Sequence, residues 1–269
     1  MIRSVYYISD GTGITAESLG HSLITQFEQI DFHTHTLPYI DSNEKARLAV
    51  EKINESFNYD KVRPIIFSTI VKPEIRNIIK QSQGFVIDFF QAFIGSLESE
   101  LQVPASSAVG LSHALVDEEQ YSTRIEAVNY ALQCDDGLNT HHYHSADIIL
   151  IGISRTGKTP TCLYLALQFG IRAANYPLTE EDLNSPCLPA ALSDHRHLLF
   201  GLSIEAERLH YVRNKRQPDS RYASLAQCEL ESSLAERVFL LEKIRHLNST
   251  HLSVEELSAH ILSEAGLRH

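Results

Sequence analysis

Gly152-Ile153-Ser154-Arg155-Thr156-Gly157-Lys158-Thr159 fills the spacing Gly-x-x-x-x-Gly-Lys-[Ser/Thr] without a mismatch. Residues spaced this way can cradle phosphate. Gly152 and Gly157 can take positive φ and let the backbone approach phosphate oxygens, which unpaired N–H groups at a helix start and the positive end of its dipole would meet. Lys158 would reach the terminal phosphates, Arg155 adds a cation, and the Thr159 hydroxyl is the candidate Mg²⁺ ligand. The alternative is a glycine-rich strand-to-helix turn with an incidental Lys-Thr.

The flanks favour the phosphate reading. Asp147–Ile151 is an apolar, β-branched run of the length of a buried parallel strand, and Thr161–Leu167 suits a packed helix. Two further groups could carry chemistry. Ser9-Asp10-Gly11-Thr12-Gly13 also lies between an expected strand and helix, so it either forms a second anion nest that presents Asp10 at a strand end or is an ordinary turn with a helix cap. Arg208, Arg213, Lys215, Arg216 and Arg221 form a local cationic run, read either as a clamp on a nucleotide or phosphorylated side chain or as a solvated helix face. Asp88 ends Phe85-Val86-Ile87 as a strand-end carboxylate could, but it precedes the glycine loop in the chain and is not assigned to a metal.

Elements able to position these residues alternate along the chain. Strands are expected at Ile2–Ser9, His33–Tyr39, Pro64–Ser68 and Phe85–Phe89, with helices at Thr15–Gln29, Asn43–Phe57 and Pro73–Gln81 between them. Val103–Gly110 reads as a loop and Glu118–Gln133 as a helix stopped by Asp135-Asp136-Gly137. Further on come strands at Arg172–Tyr176 and His197–Ile204, a helical turn from Leu178 to Asp182, and a helix at Glu205–Lys215. Leu225, Leu230, Leu234, Val238 and Leu241 then mark a long amphipathic helix, and Val254–Leu262 a shorter one. The expected fold is α/β, with mainly parallel sheets flanked by helices: an N-terminal α/β lobe, residues 1–140, and a C-terminal lobe with the phosphate loop, residues 141–269. The division is placed near residues 137–146.

Composition bounds the function. A chain of 269 residues with 43% hydrophobic content can bury one large or two modest cores, and its formal charge of −11 argues against a general nucleic-acid binder. Cys134, Cys162, Cys187 and Cys228 lie too far apart for a zinc site or disulfide framework, so reduced thiols in a cytoplasm are expected. The start, Met1–Tyr7, is too short an apolar run for a signal peptide, and no stretch is apolar enough for a membrane span. His141-His142-Tyr143-His144 looks at first like a metal tract, but without carboxylate or cysteine at a defined spacing it reads as a solvated loop.

Several blocks together resemble the bifunctional regulatory proteins of phosphoenolpyruvate synthase and the related regulators of pyruvate, phosphate dikinase. They are Ser9–Glu17, Arg124-Ile125-Glu126-Ala127, Asp135-Asp136-Gly137, the glycine loop continuing through Ala166, Asn175-Tyr176-Pro177-Leu178, Leu199-Phe200-Gly201-Leu202 and Arg221-Tyr222-Ala223-Ser224. Gly157-Lys158-Thr159-Pro160-Thr161-Cys162 resembles the synthase branch more than the dikinase branch. Where that family usually has His before Asp-Asp-Gly, this chain has Cys134. The resemblance implies a serine/threonine kinase that uses ADP to phosphorylate and inactivate its target at a threonine. It also implies a phosphorylase that restores the target with inorganic phosphate, releasing pyrophosphate. The expected ligands are ADP, inorganic phosphate and Mg²⁺. Phosphoenolpyruvate synthase is the expected partner, and a second copy of the chain is a further candidate. Residues 152–159 would hold the two phosphorus positions common to ADP and pyrophosphate, Lys158 would stabilise the moving group, and Asp10 would orient or deprotonate the threonine. A small-molecule kinase and a non-enzymatic nucleotide sensor remain the competing readings.

Overall fold

The computed structural model describes residues 2–106, 118–185 and 187–267. They form two compact units, Met1–Leu115 and Val116–His269. Of the loop expected at 103–110, residues 107–110 lie outside the described residues.

In the first unit strands and helices alternate: β1 (Ile2–Ile8), α1 (Ile14–Ile24), β2 (Asp31–Leu37), α2 (Asn43–Asp60), β3 (Ile65–Ser68), α3 (Pro73–Ile79), β4 (Phe85–Asp88) and α4 (Phe89–Leu101). The sheet is wholly parallel, in the order β2-β1-β3-β4. Side chains alternate across its pleat. Tyr6, Ile8 and Ile66 pack on Ala46, Ala49, Ile53, Ile75 and Ile79 of α2 and α3, while Val5, Tyr7 and Phe67 pack on Ala16 and Ile24 of α1 and on Phe89. α1 stops at Ile24, short of the expected Gln29, and α4 had no counterpart in the sequence reading.

The second unit opens with α5 (Glu118–Gln133), followed by 3-10 turns at Asp135–Gly137 and Thr140–Ser145. Next come β5 (Ile148–Gly152), α6 (Lys158–Phe169), β6 (Ala173–Pro177), α7 (Glu180–Asn184), α8 (Ala190–Ser193) and β7 (Leu199–Ser203). The chain ends through α9 (Ala206–Arg216), α10 (Leu225–Leu241), β8 (His246–Asn248) and α11 (Val254–Ala265). This sheet too is parallel, in the order β6-β5-β7-β8. α5, expected ahead of the division between lobes, packs through Ala127 and Ala131 with Ile148, Leu150 and α6 in a core on one face of this sheet. Ile149, Ile151, Leu209, Cys228, Ala235 and Phe239 build the core on the other.

In both sheets the first strand is interior, with the second on one side and the third on the other. The connections therefore reverse between β1 and β3, and again between β5 and β7, leaving a crevice at the carboxyl ends of those strands. The loop at residues 152–159 leaves β5 at such a crevice, and Ser9–Gly13 leaves β1 at the other.

Candidate active site

The loop at residues 152–159 is built by its two glycines in different ways. A Cβ on Gly152 would stand 2.4 Å from the Leu202 carbonyl oxygen, so glycine lets the β5 end lie against β7. Gly157 has φ 88° at the N-cap of α6 and faces open space. Arg155 also takes positive φ, 82°, a cost of roughly 1–2 kcal/mol for a side chain with a Cβ. Gly152→Ala is therefore expected to lower stability by about 1–3 kcal/mol through a backbone clash. Gly157→Ala should cost less stability while weakening any ligand of the loop; denaturation midpoints measured beside ligand titrations would separate the two.

Lys158 is only 4% exposed, and its Nζ donates to the Ile153 carbonyl at 2.9 Å. Burial pushes its pKa down to about 8, with Asp136 and Asp135 opposing the shift and Arg155 adding to it. Thr156, also buried, donates to the same Ile153 carbonyl at 3.2 Å. Thr159 donates its hydroxyl proton to Asp135 Oδ1 at 2.7 Å.

Asp135 entered the sequence reading as part of a helix stop and of a block shared with the family, with no chemical role. The structure makes it the hub of a polar network. Asn175, fully buried on β6, donates Nδ2–H to Asp135 Oδ1 at 2.6 Å, and its Oδ1 accepts from the Asp136 amide at 3.0 Å. Asp136 and Gly137 both take positive φ, which folds the turn sharply enough to present two successive carboxylates. Tyr143 fastens Asn175 from behind, its buried hydroxyl donating to the Asn175 carbonyl at 3.0 Å. The three histidines of the tract are exposed, as expected of a solvated segment, but the segment forms a 3-10 turn around that anchor, with the His141 and His142 rings tilted against each other at 4.1 Å.

The cationic run separates into distinct environments. Arg208 and Lys215 lie over the Tyr211 ring, Arg221 pairs with Glu180 at 3.1 Å, and Arg213 is fully buried against Glu231 at 2.6 Å. Only Arg216 of the five lines the cavity in front of the loop. That cavity holds about 310 Å³ and is bounded by Asp136, Ser154, Arg155, Gly157, Lys158, Thr159, Pro160 and Arg216. Neither Arg155 nor Arg216 has an ion-pair partner among the described residues. An anion entering there would meet two free guanidinium groups and a buried ammonium in a protein that is acidic overall.

A profile of kinases/pyrophosphorylases matches residues 5–262, nearly the whole chain. The chain belongs to the kinase/pyrophosphorylase family. Full-length relatives agree. A protein of Pseudomonas fluorescens strain Pf0-1 named "Putative phosphoenolpyruvate synthase regulatory protein" is 58% identical over 267 residues, covering 99% of this chain and 98% of its own. One of the same name from Pseudomonas aeruginosa strain PAO1 is 57% identical over 267 residues, covering 99% and 97%. Phosphotransfer chemistry in this kinase/pyrophosphorylase needs positive charge where phosphoryl oxygens gather, and the 152–159 cavity carries it.

The remaining sequence candidates lie in the first unit. Asp10 follows β1, and its Oδ2 accepts from the Val71 amide at 2.8 Å, tying the β1 and β3 ends together. Gly13, at φ 86°, begins α1 without a side-chain cap. Asp88 is already committed: it caps α4 through the Gln91 amide at 2.9 Å and pairs with Arg76 at 3.0 Å. Among the described residues no helix is long and apolar enough to cross a membrane.

Proposed function

We propose that this kinase/pyrophosphorylase phosphorylates a threonine of phosphoenolpyruvate synthase with ADP, switching the enzyme off, and later removes the phosphoryl group with inorganic phosphate, switching it on. In the first reaction the threonine oxygen attacks the β-phosphorus of ADP, the bridging P–O bond breaks, AMP leaves and the hydroxyl proton is released. In the second an oxygen of inorganic phosphate attacks the phosphothreonine phosphorus, pyrophosphate forms and the threonine oxygen regains a proton. AMP phosphate and inorganic phosphate therefore occupy equivalent positions, so one site can serve both directions.

The observation that carries this reading is the cavity in which Lys158, Arg155 and Arg216, none of them in an ion pair among the described residues, gather around Asp136 and beside the Thr159–Asp135 pair. The amides of residues 152–159 would hold two phosphoryl groups, and Lys158 would leave the Ile153 carbonyl to follow the one in transit. The chain's oxygen donors fit Mg²⁺, a hard cation that takes one or two carboxylates plus substrate phosphates. Thr159 donates its O–H to Asp135 as a hydrogen bond, so its lone pairs stay free to coordinate, and Asp135 or Asp136 would bind through water. Bound there, Mg²⁺ would offset charge on the phosphoryl oxygens.

The deciding experiment incubates purified phosphoenolpyruvate synthase with this protein and β-labelled ADP, then adds phosphate. Label should enter one threonine and leave as pyrophosphate. Label passing only from ATP to a small molecule would make the chain a metabolite kinase, and no transfer at all would make it a nucleotide sensor. ADP should compete with phosphate in the second reaction; lack of competition would require separate sites. Asp10 is proposed to orient or deprotonate the threonine hydroxyl. Asp10→Asn keeps an oxygen for the Val71 amide but removes the base, so kinase activity should fall by about 10²–10⁴-fold with stability nearly unchanged. Full activity with an unaltered pH profile would confine Asp10 to holding the loop.

A further inference from the structure

Tyr222 lies in the 3-10 turn Arg221–Ala223, and its hydroxyl donates to Ser154 Oγ at 3.0 Å. Arg213, wholly buried on α9, reaches the same residue from another side. Its Nη2 donates to the Ser154 carbonyl at 3.3 Å and to Glu231 at 2.6 Å, its Nη1 donates to the Tyr222 carbonyl at 3.1 Å, and its guanidinium stacks on the Tyr222 ring at 4.1 Å. Gln227 holds the other Glu231 oxygen at 3.0 Å. A buried ion pair is an expensive way to fill a core, since desolvation offsets most of its attraction. What this one does specifically is grip one residue of the glycine loop.

Two consequences follow from bonding geometry. In a trans peptide the C=O and N–H point in opposite directions, so fixing the Ser154 carbonyl toward Arg213 turns the Arg155 N–H the other way. A serine oxygen that already accepts a proton from Tyr222 keeps its own O–H to donate. Ser154 and Arg155 both border the cavity. We propose that Tyr222, backed by Arg213 and Glu231, is a positioning residue that presents the Ser154 hydroxyl and the Arg155 amide to the phosphoryl group not being transferred: the AMP phosphate in one direction, inorganic phosphate in the other.

This inference rests on the cavity being the phosphate site, so the experiment tests the two separately. Calorimetric titration of the wild-type chain with pyrophosphate and Mg²⁺ comes first; absence of binding would defeat the phosphate site itself. If the wild type binds, Tyr222→Phe, which keeps the ring over Arg213 and removes one hydroxyl, should weaken pyrophosphate about 3–10-fold, in line with one hydrogen bond. KM for ADP and for phosphate should rise by the same factor, while kcat stays within about twofold. Ser154→Ala should weaken binding at least as much, and the double variant should be no worse than Ser154→Ala alone. Unchanged affinity in Tyr222→Phe, additive losses in the double variant, or a fall in melting temperature with KM unmoved would each overturn the proposal.

Discussion

Lys158→Met should abolish phosphoryl transfer in both directions, lowering kcat by about 10³-fold, while the protein stays folded and becomes no less stable. Removing one preorganised group that meets charge in a transition state costs about 10²–10³-fold in known cases, and a lysine carries a full charge. Stability should survive because Lys158 is a buried ammonium whose only hydrogen bond is to the Ile153 carbonyl. Replacing it with an apolar chain of similar reach removes a desolvation penalty and costs one hydrogen bond.

The same burial gives a pH signature. The pKa of Lys158 falls from 10.5 to about 8 in the folded chain, so between those values the unfolded chain holds a proton that the native one has lost. The contribution of Lys158 to stability then rises with pH across that window; below about pH 8 both states are protonated and the full penalty applies. Cys134, Cys162 and Cys228, raised by burial from 9.0, and Tyr130 and Tyr143, raised from 10.0, act in the opposite sense, so the lysine is read from the wild-type minus Lys158→Met difference. A bound phosphate would favour the ammonium. ADP should therefore bind with proton uptake at pH 8.5 and lose affinity as pH rises further, measurable by calorimetry in buffers of differing ionisation enthalpy. Binding without proton exchange there, or Lys158→Met retaining more than about a tenth of the activity, would remove the lysine from this role.

What could be read from the chain depended on how local each feature is. The glycine loop is eight consecutive residues, and its chemistry follows from φ angles and amide directions set within that stretch. Asp135 stands 24 residues from Thr159, and only the packing of α5 against β6, with Asn175 between them, brings the carboxylate to the hydroxyl. No periodicity encodes such a meeting. α4 was hidden for a different reason: β4 passes into it with no intervening breaker, because Asp88 ends the strand and caps the helix at once. β8 has three residues, too few for alternation to register. Arg213 looked like its cationic neighbours, although its position four residues after Leu209 puts it on the buried stripe of α9. That spacing was a usable signal.

Asp135→Asn tests the carboxylate that folding supplied. Asparagine has nearly the same shape, and its one oxygen can still accept from Thr159 and Asn175, both of which now donate to Asp135 Oδ1, but it is uncharged and puts an amide where the other carboxylate oxygen stood. Both donors then meet an uncharged and weaker acceptor, so stability should fall by about 1–2 kcal/mol. The larger effect falls on chemistry: a neutral amide holds the Thr159 hydroxyl less firmly with its lone pairs outward and offers no negative charge to a metal-bound water. Altered orienting partners typically weaken metal binding 10–100-fold. Mg²⁺ affinity in the presence of ADP should fall by that factor and kcat by about 10²-fold, with the Mg²⁺ requirement shifted upward. Thr159→Ser retains the hydroxyl and should stay within about threefold of wild type, whereas Thr159→Val should follow Asp135→Asn. A Mg²⁺ titration monitored by ADP binding measures this independently of turnover. If Asp135→Asn loses stability but keeps its Mg²⁺ dependence, the network serves only to fasten the Asp135–Gly137 turn to β6.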